Sequence, residues 1–115
     1  MTRNTELFDR IAAQIEAHPE LYDQGTFGER TECGTAHCIA GHAVVLSGGH
    51  RPRGRQLWNH VRIKRGPVMD IEECAAKLLG LGFFESLRLF RGSWIPPEGE
   101  SVPDALRRIG RGGAI

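Results

Sequence analysis

The chain has 115 residues, 40% of them hydrophobic and 25% charged, with a net charge of +1. That is one domain with ordinary globular composition, large enough to bury a modest core without metal or disulfide staples. No apolar run approaches the ~18 residues of a membrane span, and Met1-Thr2-Arg3-Asn4-Thr5-Glu6 lacks the basic-then-apolar layout of a signal peptide. We therefore expect a cytoplasmic protein with no membrane partner, its three cysteines reduced.

The charge is unevenly distributed. Between Ser47 and Met69 lie six basic residues (Arg51, Arg53, Arg55, Arg62, Lys64, Arg65) and no acidic one. The rest of the chain holds 15 − 6 = 9 basic residues against 14 acidic, a balance of −5.

Helical signals recur along the chain. Leu7, Phe8, Ile11, Ala12 and Ile15 repeat at the 3.6-residue period, predicting a helix over about 4–17 that Pro19 stops. Leu21, Tyr22 and Phe27 then serve as loop anchors onto the core. Thr35 suits an N-cap for a second helix running to Ser47, where Gly48-Gly49 ends it. Its interior, Ala36 to Leu46, is apolar nearly all round, which marks a buried central helix. Gly41 inside it suits a close crossing by a neighbouring helix at Ala40 and Gly41.

The basic stretch, about 49–66, reads as an insert between helices. Leu57, Trp58 and Val61 fit one short helix, whereas Val61-Arg62-Ile63-Lys64 alternates like a strand that Gly66-Pro67 would close. Asp70 with Glu73 forms a capping-box pattern ahead of Ile71, Cys74, Ala75, Leu78 and Leu79, and Gly80 stops that helix. Phe83, Leu87 and Phe90 come together on a short helix. Ser93 to Pro97 is extended, with Trp94 as a lid. Ser101 and Asp104 open a last helix bearing Val102, Ala105, Leu106 and Ile109, and the tail from Gly110 is expected to fray. The expected fold is all-α: one domain, 1–115, of four to five helices around the Thr35–Ser47 helix.

The segment Cys33-Gly34-Thr35-Ala36-His37-Cys38-Ile39-Ala40-Gly41 resembles a motif of small uncharacterised helical proteins of bacteria and phages. In that pattern it precedes a Leu-Gly-Leu turn, an Arg-Leu-Phe helix and a Trp, matched here by Leu79-Gly80-Leu81, Arg88-Leu89-Phe90 and Trp94. The resemblance spans about Phe27 to Ile109 and implies no established activity. The family position of His42 is often Trp, His37 is not fixed, and the basic stretch is an elaboration on the shared pattern. The resemblance thus implies no common chemistry for these histidines.

Two constellations could carry function. Cys33, Cys38 and His42, with Cys74 from another core-facing helix, could supply zinc ligands, because residues at i and i+4 share a helix face. His37 would lie about 100° round the helix from Cys38 and fits poorly. The spacing matches no standard zinc pattern, and free cysteines are commonly small core hydrophobes, so we expect no cofactor. Cys38 near a helix N-terminus and beside His37 could also be a reactive thiolate. No accompanying base or oxyanion motif is visible, so no catalytic residue is assigned.

The second constellation is the basic stretch. Clustered cations attract phosphate backbones, and an interleaved Trp can stack on a base; the same residues could grip an acidic protein. The function read from the sequence is a non-catalytic binding module contacting nucleic acid or protein through Arg51, Arg53, Arg55, Trp58, Arg62, Lys64 and Arg65. A metal-binding or thiol-dependent protein centred on Cys33, Cys38 and His42 is the alternative.

Overall fold

A computed structural model describes residues 2–24, 29–31, 34–36, 38–50 and 60–115. The first helix, α1 (Thr5–Ala17), starts where Asn4 accepts a hydrogen bond from the Leu7 amide and ends ahead of Pro19, whose 3-10 turn runs to Leu21. Its five stripe residues, Leu7, Phe8, Ile11, Ala12 and Ile15, are all buried. Burying each of the larger ones contributes about 1.5–3 kcal/mol.

A short antiparallel pair follows, β1 (Glu29–Thr31) with β2 (Gly34–Ala36), in which Thr31 opposes Gly34 and Arg30 opposes Thr35. Thr35 is therefore strand, not a helix cap. Cys38 takes that role for α2 (Ile39–Leu46), its backbone extended and its Sγ accepting from the Gly41 amide at 3.4 Å. The central helix is thus eight residues long, starting three residues later than an N-cap at Thr35 would have it. Its burial matches expectation. Ile39 through Val44 are buried, and the helix packs against both α1 and α3, with Ala40 and Gly41 inside the core. Val45 is the exception, left on the surface.

The all-α expectation fails at the next stretch. β3 (Gly49–His50), β4 (His60–Ile63) and β5 (Val68–Asp70) form an antiparallel sheet in that order, making the fold α+β. Of the two sequence readings of this stretch, the strand is found at His60–Ile63, while Leu57 and Trp58 of the helical reading lie outside the described residues. Val61 opposes Met69, and Gly49 opposes Ile63, on the face turned to the core. Arg62 opposes both His50 and Val68 on the outer face, following the two-residue period of a strand. Gly49 lets the sheet edge approach α2: a Cβ there would lie 2.2 Å from Val44 Cγ1 and 2.8 Å from Ile63 Cδ1.

Asp70 ends β5 and caps α3 (Ile71–Leu79), accepting from the Glu72 and Glu73 amides at 2.9 and 3.3 Å. Gly80 stops α3 in the left-handed conformation, φ 72°. The short α4 (Phe83–Leu89) buries Ser86 and Leu89, with Phe90 beyond its end, and leaves Phe83 and Leu87 outside. Phe90 therefore parts from the two residues it was expected to join. Trp94 packs partly buried against the core, as a lid should.

In α5 (Val102–Gly110), Ser101 caps by accepting from the Asp104 amide at 3.2 Å. α5 lies along α1, and Ala105, Leu106, Ile109 and Gly110 are buried there. The tail is tied down rather than frayed. Arg3 donates to the carbonyls of Ile109 and Gly113, Arg108 donates to that of Ala114, and Ile115 packs on the core. Among the described residues, no helix is long and apolar enough to cross a membrane.

Candidate functional site

The basic contact residues divide by location. Arg51, Arg53, Arg55 and Trp58 lie outside the described residues. Arg62 sits on β4, and Lys64 and Arg65 lead the turn that joins β4 to β5. Lys64 and Arg65 are exposed, as expected of a contact surface. Arg62 departs from that expectation. Val61 is core, and Arg62 is half-buried, its Nε donating to the Gly66 carbonyl across the turn at 2.8 Å. The sheet thus holds Val61, Ile63 and Met69 inward and turns Arg62, His50, His60 and the exposed Val68 to the other face, with Lys64 and Arg65 at its end.

Electrostatically this turn differs from α5. Along α1 and α5, Arg111 pairs with Asp9 at 2.9 Å, Arg107 with Glu16, and Arg108 with Glu100 at 2.9 Å. Arg3 pairs with Glu85, which also accepts from the Gly82 amide. Asp9, Glu16 and Glu100 are each held below the usual carboxylate range, first by the arginine's hydrogen bond. Arg62, Lys64 and Arg65 have no carboxylate partner among the described residues. Arg88 and Arg91, exposed near the end of α4, share that condition. Lys64 is further distinguished by its backbone, φ 51°, the only positive φ at a non-glycine among the described residues.

The Cys/His constellation is described at Cys38, His42 and Cys74, while Cys33 and His37 lie outside the described residues. Cys38 and His42 do come together on successive turns of α2, both buried. Each is already engaged. The Cys38 thiol caps its helix, and His42 stacks on Tyr22 with ring centroids 6.5 Å apart. His42 Nε2 lies 3.2 Å from the Leu21 carbonyl, so the proton on that nitrogen donates to it. Cys74 is buried on α3. Among the described residues no three His, Cys, Asp or Glu side chains are placed to hold a metal ion, so the described part of the donor set does not build a zinc site.

The thiol chemistry runs opposite to the activated form considered from the sequence. Burial pushes the Cys38 thiol up from its ordinary value, and the amides of Gly41 and Ala40 offset only part of this. Burial raises Cys74 as well. Both are protonated at neutral pH, and a protonated thiol is a poor nucleophile.

A residue that the sequence reading passed over organises this region. Gln24 Oε1 accepts from the Tyr22 hydroxyl at 3.2 Å and from the Ile39 amide at 3.3 Å. Its Nε2 donates to the carbonyls of Leu89 and Arg91 at 2.7 and 2.9 Å. One amide group thereby joins the start of α2 to the end of α4 and orients Tyr22. Burial, then Cys38 and Asp23, pushes Tyr22 up to about 12. The chain has a single tyrosine, so its phenolate absorbance titrates this one ring. We expect a midpoint near 12 rather than 10. Between those values an unfolded chain releases the proton and the folded one keeps it, so stability falls as pH rises through that window. A midpoint near 10 would place the Tyr22 hydroxyl in water.

Compared with protein-family models, curated proteins and solved structures, the chain matches none.

Proposed function

We propose that this protein is a non-catalytic binding module that grips a polyanionic partner, nucleic acid or an acidic protein surface, through the end of its three-stranded sheet. The observation that carries the reading is charge segregation. Arg107, Arg108 and Arg111, on α5 and at its C-terminal cap, are each paired with a carboxylate. Arg62, Lys64 and Arg65 point from the sheet and its turn with no carboxylate partner among the described residues. Arg51, Arg53, Arg55 and Trp58 are placed by the sequence next to them.

Lys64 adds a second support. A left-handed backbone disfavours a residue with a Cβ by about 1 kcal/mol relative to Gly. A lysine in that position implies that its charge is useful there, since local strain concentrates where side chains have work to do. The Cys/His alternative gains no comparable support, because Cys38 and His42 are both buried and engaged.

The test is binding of a fluorescein-labelled DNA duplex and, separately, of a poly-glutamate peptide across a salt series. Binding of the duplex should weaken as salt rises, with a log–log slope of about −0.9 per phosphate contact. Tighter binding of poly-glutamate would assign an acidic protein partner. Lys64→Gly should raise thermal stability by about 0.5–1 kcal/mol while weakening whichever interaction is found. Failure to bind either polyanion at low salt would sink the reading.

A further inference from the structure

α4 leaves an apolar surface uncovered. Phe83, Phe84 and Leu87 are 70%, 74% and 42% exposed, on a helix of seven residues. The two phenylalanine rings meet edge to face, centroids 5.4 Å apart, so Phe84 braces Phe83. Single exposed apolar residues are ordinary, but a contiguous group of them marks an interaction surface.

Two of these side chains, Phe83 and Leu87, border a cavity of about 460 Å³ between α3 and α4. Phe83 and Leu87 form one wall, and Ala76 and Leu81 contribute further apolar surface. The opposite wall is acidic: Asp70, Glu72 and Glu73 contribute −3, and Lys77 contributes +1. Lys77 is already claimed, its Nζ 3.5 Å from Glu73 Oε1. Of the lining acids, Glu73 is thus paired, and Glu72 has no cation beside it among the described residues. Burial, then Asp70, raises the Glu72 carboxyl above its ordinary value, the state of an acid whose anionic form lacks a counter-charge.

Apolar on one side and anionic on the other, the groove complements one kind of occupant. We propose that it binds a basic amphipathic helical segment of another protein, with apolar side chains against Phe83 and Leu87 and a lysine or arginine at Glu72. An amphipathic helix laid between two helices is a common mode of peptide recognition. Nucleic acid is disfavoured here, because the acidic wall repels phosphate. This site is separate from the basic turn of the sheet and does not depend on the polyanion reading.

The probe is a fluorescein-labelled peptide of about 18 residues built from Leu and Lys, with Leu at helical i, i+3, i+4, i+7 spacing. Its controls are the Leu/Glu counterpart and a Leu/Lys scramble without the stripe. At physiological salt the patterned Leu/Lys peptide should bind and both controls should bind at least tenfold more weakly, about the effect of losing a central contact. Phe83→Ser with Leu87→Ser should weaken binding about tenfold or more, and Glu72→Gln alone should do so by a similar factor. Glu72→Gln preserves shape, and Phe83 and Leu87 are exposed, so unchanged melting temperatures should accompany the losses. Lys64→Ser with Arg65→Ser should leave peptide binding intact. The proposal is overturned if the peptide fails to bind at about 100 µM, or if the Leu/Glu peptide binds equally. It is also overturned if the Phe83/Leu87 variant binds as wild type does. Concentration-dependent dimers that the Phe83/Leu87 substitutions abolish would instead assign the surface to a second copy of this chain, and that too would overturn it.

Discussion

Gly110→Ala is expected to destabilise the fold by about 2–3 kcal/mol or more, lowering the melting temperature by roughly 10 °C or more. The methyl group would project from the last turn of α5 into α1. Its carbon would lie 2.6 Å from Phe8 Cβ, 3.0 Å from Cγ and 3.3 Å from Cδ2. Neither side can yield cheaply. Phe8 is fully buried, and its Cβ is fixed by the helix that carries it. The Gly110 carbonyl accepts from Thr5 Oγ1 at 2.6 Å, and the Asp9–Arg111 and Glu16–Arg107 pairs span the same two helices. Those exposed pairs contribute little individually, so separating the helices is opposed mainly by the apolar surface that would open. Gly99→Ala is the control. Gly99 has φ 83° with nothing within 4 Å of a built Cβ, so its substitution incurs backbone strain alone, about 1 kcal/mol. If Gly110→Ala is no worse than Gly99→Ala by thermal unfolding, α1 and α5 do not approach as closely as described.

What the sequence revealed depended on how far apart the determining residues lie. The faces of α1 and α3, and the caps at Asp70 and Ser101, were legible because each signal is complete within one or two turns. The start of α2 was not. Thr35 is a stronger cap by type than cysteine, yet it pairs across to Arg30 in β1, and Cys38 caps the helix instead. The sheet was missed in the fold class because β4 spans four residues and β5 three. Strands that short carry too little alternation to outweigh helical readings, and only pairing across the turn stabilises them. Gln24 was invisible for a related reason: apart from Tyr22, its partners lie 15 to 67 positions away. At α4, the four-residue spacing of Phe83 and Leu87 put both on one face but did not say whether that face met the core. Ser86, Leu89 and Phe90 took the buried side. Charge was the most legible feature of the candidate surface, since six cations without an acid are visible in composition alone. The hydrogen bond that ties Arg62 to Gly66 was not.

That hydrogen bond shapes the second large effect. Replacing Arg62, Lys64 and Arg65 together with serine is expected to weaken duplex DNA binding about 100-fold near 0.15 M salt, if each cation meets one phosphate. Each contact contributes a log–log salt slope of about 0.9, so the slope should become shallower by up to about 2.7. Extrapolated to molar salt, variant and wild type should converge, because counterion release rather than shape separates them. Stability should respond differently. Lys64 and Arg65 are exposed and unpaired with any described carboxylate, so Lys64→Ser with Arg65→Ser should shift stability by less than about 0.5 kcal/mol. Arg62→Ser removes the bond to the Gly66 carbonyl and should destabilise by about 1 kcal/mol. That is too little to unfold a domain whose sheet also rests on Val61 and Ile63. Affinity should therefore fall with all three substitutions, whereas the melting temperature should follow Arg62 alone. An acidic protein partner would give the affinity loss with poly-glutamate and leave weak DNA binding nearly unchanged. If the triple variant binds both polyanions as wild type does, these three cations are solvated and the contact surface does not include them.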